Sequence, residues 1–156
     1  MPNKAKGWGE TAVTRRELGP RMAVPMTFVL NFGHPLSDGA QAVLEEYLQG
    51  PVQTVRMPFE LDLDRPTGIQ VTTRVNEMAM LLRGAAARLD GTAPVVVVLP
   101  GITEGAAALL AELHGRLGAF PRVVRLRRRA DGTWLPDAAE PLLDLEKLRN
   151  EARGRR

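Results

Sequence analysis

Cysteine is absent from the 156 residues. Disulfides, thiolate metal sites and cysteine nucleophiles are thereby excluded, and the chain fits a reducing cytoplasm. Histidine occurs twice, at His34 and His114. A metal site would have to rest on carboxylates. Asp62 and Asp64, two residues apart in a loop, read as solvated, so neither metal nor cofactor is expected. Long apolar runs are also missing. The longest, Ala93 to Leu99, falls far short of the roughly 20 residues that span a bilayer. The first 25 residues are polar and basic without an apolar core, so no secretory signal and no membrane partner are expected. Signature loops are lacking too. No G-x-G-x-x-G follows the first strand, and there is no Walker A lysine loop. No G-x-S-x-G is present to carry a hydrolase triad. Dinucleotide oxidoreduction and P-loop hydrolysis are disfavoured accordingly.

What is present is ordinary for one globular domain: 44% apolar and 25% charged residues. A chain this long buries roughly two-thirds of its unfolded surface, enough for a core without staples. The net charge of +3 is unevenly spread. Residues 1–25 carry +3, residues 26–120 carry −4 and residues 121–156 carry +4. The acidic middle argues against a broad nucleic-acid surface, so no stable DNA binding is expected. The basic end can touch a phosphate backbone or serve only solubility.

Residues 1–25 show no hydrophobic period and read as a disordered extension. From Met26 strands and helices alternate. Met26 to Phe32 reads as a buried strand, broken by Gly33, His34 and Pro35. Ser37 and Asp38 offer caps to a helix carrying Ala40, Val43, Leu44, Tyr47 and Leu48 on one face, closed by Gly50-Pro51. Val52 to Met57 is the second strand. After a loop over 58–68, a long helix from Ile69 presents Val75, Met78, Ala79, Leu82, Ala86 and Leu89. Met57, Met78 and Met80 read as core. Val95 to Leu99 reads as a strand covered on both faces. Thr103 is a cap candidate for the next helix, with Ala106, Leu109, Leu110, Leu113 and Leu117 inward. Val123 to Arg127 is the fourth strand, and Asp131-Gly132 turns into Thr133–Leu135. A short basic helix holds Leu145 and Leu148 and ends near Gly154.

This alternation predicts one α/β domain over 26–156 with a mostly parallel sheet, order 2-1-3-4, and helices on both faces. In such sheets ligands bind beyond the carboxyl ends of the strands, where the order reverses. That point falls between the first and third strands, at Asn31 to Ser37 and Pro100 to Glu104. Both loops lead into helix N-termini, whose unpaired N–H groups suit phosphate. Gly33 and Gly101 would permit close approach of a ligand. His34 either donates to a phosphate or braces its turn. Asn31 either reads an adenine edge or fixes the loop. Ser37 and Thr103 are caps first, yet a capping hydroxyl also faces a bound phosphate. His114 reads as a packing or dimer residue. Arg125, Arg127, Arg128 and Arg129 read as charge protecting an edge strand. Trp134 either packs beside its turn or stacks on a base.

Three stretches, LNFGHPLS (30–37), LLAELHGRLGAFPRVVRLR (109–127) and the basic end from Asp144, resemble a small CRISPR-associated family, the fifteenth of the Csx series, encoded beside type III systems. The resemblance covers about residues 28–155. It implies a stand-alone Rossmann-like domain of the cyclic-oligoadenylate-sensing (CARF) type. It further implies a homodimer that binds cyclic tetra-adenylate and lowers its free level, damping antiviral signalling. Stacking of dimers around shared rings is a further assembly such pairing would allow. By position, ligand contacts fall to Asn31, Gly33, His34, Ser37, Pro100, Gly101, Ile102 and Thr103. The 25-residue extension and the few Lys or Arg near those loops depart from the family pattern. An alternative is a metal-independent ring nuclease, in which a ribose 2′-OH attacks the adjacent phosphate with help from His34 and Ser37. A third reading is an RNA or protein adaptor working through the basic end.

Overall fold

The computed structural model describes residues 24–156. The extension expected over residues 1–25 lies, but for its last two residues, outside the described residues. Strand β1 (Thr27–Asn31) is buried along its whole length. It runs parallel to β2 (Val52–Arg56) on one side and to β3 (Val95–Val98) on the other. The register pairs Leu30 with Val55 and with Val97. Strand β4 (Arg122–Val124) continues the sheet parallel to β3. The order 2-1-3-4 is as expected and places the two most apolar strands centrally.

Alternation along these strands divides the core. Phe28, Leu30, Val97 and Val123 point to one face, against Val71, Val75, Met78 and Leu82 of helix α2 (Thr67–Gly84) and Leu109 and Leu113 of helix α3 (Thr103–Leu117). Val29, Val96, Val98 and Val124 point to the other, where Leu44 of helix α1 (Asp38–Leu48) covers them. Burying each such side chain contributes about 1.5–3 kcal/mol. Because α1 lies on one face and α2 and α3 on the other, the winding reverses between β1 and β3.

The structure departs from the sequence-based expectation at several places. The fourth strand does not run through to Arg127. Its sheet pairing stops at Val124, and the Arg125 backbone instead donates to Pro141 O at 2.9 Å and accepts from Asp137 N at 2.7 Å. Leu126–Arg128 (β5) then pairs antiparallel with Trp134–Pro136 (β6) in a separate hairpin. A short strand, β7 (Leu142–Leu143), was not foreseen and adds antiparallel to β4, so the arginine cluster does not lie on the sheet's edge strand. Helix α2 begins at Thr67 and ends at Gly84, leaving Ala86 and Leu89 in the following turns. Met80 is 64% exposed, because two residues from both Met78 and Leu82 it lies on the side of α2 facing away from the core, and Tyr47, near the end of α1, is 51% exposed. Helix α1 closes on Gln49 in the left-handed region, φ 54°, one residue before Gly50.

The chain ends in helix α4 (Leu145–Arg153), capped by Asp144, whose carboxylate accepts from Lys147 N at 2.8 Å. Leu145 packs on the core, whereas Leu148 is exposed.

Candidate functional site at the carboxyl edge of the sheet

Asn31 ends β1 fully buried. Its Nδ2 donates to His34 O at 2.8 Å, and its Oδ1 accepts from Gly33 N at 2.9 Å. One side chain thus folds the loop back on itself and holds His34 outward, where it is exposed. The geometry gives Asn31 the loop-fixing role. Gly33 lies against the neighbouring loop: a Cβ there would meet Leu99 O at 2.5 Å. Its missing side chain lets the β1–α1 and β3–α3 loops touch. Around Gly101, by contrast, an added Cβ would meet nothing within 4 Å. Pro100 is buried, and Ile102 and Thr103 are exposed.

The two helix starts differ. Ser37 caps α1 as expected, its Oγ accepting from Ala40 N at 3.1 Å. Thr103 does not cap α3; it is the first helical residue, and the cap position is Ile102, which offers no side-chain acceptor. The first N–H groups of α3 are therefore without a side-chain cap. Both helices carry a carboxylate in the first turn, Asp38 in α1 and Glu104 in α3. Glu104 also accepts from the Thr67 hydroxyl, tying α3 to the start of α2. These carboxylates offset part of the positive helix ends, so an anion held here would need cations from elsewhere.

The β5–β6 hairpin supplies them. Strand β4 is parallel to β1 and β3, so a hairpin leaving its far end rises at the same edge as the two loops. Its Trp134 stacks on His34, ring centroids 5.0 Å apart and planes 13° from parallel. Leu135 reaches the start of α1, 3.7 Å from where a Gly39 Cβ would lie. Directly paired residues of an antiparallel ladder share a face, and Arg128 pairs with Trp134. The hairpin is fastened by Asp137. Its carboxylate accepts from Ala139 N, from Glu140 N and from Arg127 Nε at 2.7 Å. The backbone N–H of Glu140, then the Arg127 guanidinium, hold its pKa down at about 2. Arg125 pairs with Glu140. Arg128 and Arg129 make no ion pair among the described residues.

The structure thus brings Asn31, Gly33, His34 and Ser37 together with Pro100 to Thr103. It adds Arg128, which the sequence reading places in edge protection, and Trp134, which that reading leaves between packing and stacking on a base. The signal that finds them is topological: a turn-forming Asp131-Gly132 after a parallel strand must sit at that strand's carboxyl edge. His114 stays apart, half-buried and tilted against Phe120 with centroids at 4.3 Å. Among the described residues no three His, Asp or Glu side chains gather to hold a metal, and no helix is long and apolar enough to cross a membrane. Clefts of about 510, 300 and 200 Å3 lie elsewhere, none lined by these loops. The carboxyl-edge site is an open surface. Comparisons with protein-family models, curated proteins and solved structures find no match to this chain.

Proposed function

We propose that the chain is a cytoplasmic binding protein that takes up cyclic tetra-adenylate as a homodimer and so lowers the free messenger of a type III CRISPR response. The sequence resemblance of 30–37, 109–127 and the basic end supports this reading. The observation that carries it is the stacked His34–Trp134 pair, with Arg128 beside it, at the point where the strand order reverses. Adenine bases stack on aromatic faces, each worth about 1–3 kcal/mol. Guanidinium groups pair with phosphodiesters in charge-assisted hydrogen bonds. The uncapped start of α3 adds N–H donors. An open surface on one chain becomes an enclosed one when a two-fold partner closes over a ring with four phosphates.

A second reading, the ring nuclease, is favoured by one feature. No hydrogen bond among the described residues occupies the ring nitrogens of the exposed His34. An imidazole so placed can take the ribose 2′-OH proton as that oxygen attacks phosphorus and the 5′ oxygen leaves, taking a proton from water, to give a 2′,3′-cyclic phosphate and a 5′-OH. One experiment separates the two. Protein and cyclic tetra-adenylate are mixed at near-equal concentration, the complex is followed by gel shift, and the nucleotide is resolved after denaturation. Sequestration predicts a shift with the ring recovered intact. Linear product that disappears in His34→Ala would replace it with the nuclease, and the absence of both shift and cleavage would overturn both.

A further inference from the structure

At the opposite end of the sheet, a cleft of about 510 Å3 lies between the C-terminal half of α2, the turns leading to β3 and the last turn of α3. Three arginines line it: Arg83, Arg88 and Arg116. Residues 26–120 hold six arginines, no lysine and ten carboxylates. Half of those cations, and a single carboxylate, Asp90, line this one cleft. The concentration runs against the local charge of the chain.

The single carboxylate is already engaged. Asp90 accepts from the hydroxyl and the backbone N–H of Thr92, which, with the nearby Arg88 guanidinium, hold its pKa below the usual range. Arg116 is already paired and held in place: Glu112 Oε1 accepts from its Nε and Nη2 at 2.9 and 2.6 Å, and Asn76 Oδ1 from Nη2 at 2.7 Å. Arg83 and Arg88 are exposed and make no ion pair among the described residues. Helix ends explain part of this pattern, since Arg83 and Arg116 occupy last turns, where cations are favoured. They do not explain Arg88, which lies outside any helix. The wall between the guanidinium groups is apolar, formed by Ala79, Leu89 and Met80, the last 64% exposed.

We infer that this amino-edge cleft binds a small organic phosphate of mononucleotide size, its apolar or aromatic body against Met80 and Leu89 and its phosphate between Arg83 and Arg88. Two guanidinium groups, neither held in an ion pair among the described residues, match a phosphate monoester, which carries about −1.5 to −2 near neutral pH. Pockets of this volume enclose small ligands of that size. The inference is independent of the carboxyl-edge reading, because the two sites share no residue.

The test is chemical-shift mapping of the full chain with adenosine monophosphate, adenosine and inorganic phosphate at low salt. The monophosphate is expected to move amides within 76–90 and at Arg116 saturably. Adenosine and phosphate alone are expected to bind more weakly. Arg83→Ala/Arg88→Ala is expected to weaken binding by about tenfold or more, as loss of charge-assisted hydrogen bonds does. Arg88→Ala alone reads part of the same loss without touching a helix end. No shifts at millimolar monophosphate would overturn the inference. So would shifts confined to 31–37 and 126–136, equal binding of adenosine or phosphate, or equal affinity in the double variant.

Discussion

Asn31 and Ser37 lie six residues apart in the same loop, yet they contribute differently. Truncating Asn31 to Ala leaves Gly33 N–H and His34 C=O without the partners they have in a part-buried corner. Each such loss costs about 1–3 kcal/mol. Ser37→Ala removes one exposed helix cap, typically about 1 kcal/mol. Urea denaturation should therefore rank Asn31→Ala as the more destabilising, and the reverse order would refute the loop-fixing role. Ala86 offers a test of opposite sign. Its φ of +57° lies in the left-handed region, which costs a non-glycine residue roughly 1–2 kcal/mol. Glycine removes that strain but loosens the unfolded chain by about 0.4–1 kcal/mol. The first effect is the larger, so Ala86→Gly should raise stability by about 0.5–1 kcal/mol, read from the same denaturation curves. Gly33→Ala should lower it, because Leu99 O leaves no space for a methyl group.

Among the elements, the β5–β6 hairpin is braced by charge where its two strands meet the following turn. Asp137 fastens it through two backbone N–H groups and Arg127. A carboxyl group held below its ordinary value stabilises the fold above its unfolded pKa of roughly 4. That contribution fades as pH falls from there through about 2, where the folded group protonates. The hairpin should thus stay docked at pH 5 and loosen only in strong acid, whereas Asp137→Ala should loosen it at neutral pH. Acrylamide quenching of Trp134 in a Trp8→Phe background reports this. Equal quenching in the variant and the parent would remove Asp137 as the fastening. Helix and strand identities were legible in the sequence where period and punctuation agreed, as for Met26–Phe32 and the Ser37 cap. Thr103 was misread because a hydroxyl near a helix start looks like a cap whether it stands one residue before the helix or within it. The two-residue β7 carries no period at all and exists only because β4 leaves it an edge to pair with.

For the whole molecule, alternating strands and helices made the α/β class and the 2-1-3-4 order readable, and with them the reversal point between β1 and β3. The chemistry gathered there was only half readable. The β1–α1 and β3–α3 loops follow from topology, but Trp134 meets His34 across 100 residues of chain through a hairpin whose direction depends on the break at Arg125. That break follows from Arg125 bonding to Pro141 and Asp137, contacts no local pattern encodes. The same topology puts the arginine-lined cleft at the other edge of the sheet, so the molecule presents two chemically distinct ends. The most direct test of the account is calorimetric titration of the full chain with cyclic tetra-adenylate, alongside Arg128→Ala and Trp134→Ala. Saturable binding of one ring per two chains is expected, weakened about tenfold or more in each variant. Failure to bind, or binding that both variants leave unchanged, would contradict it.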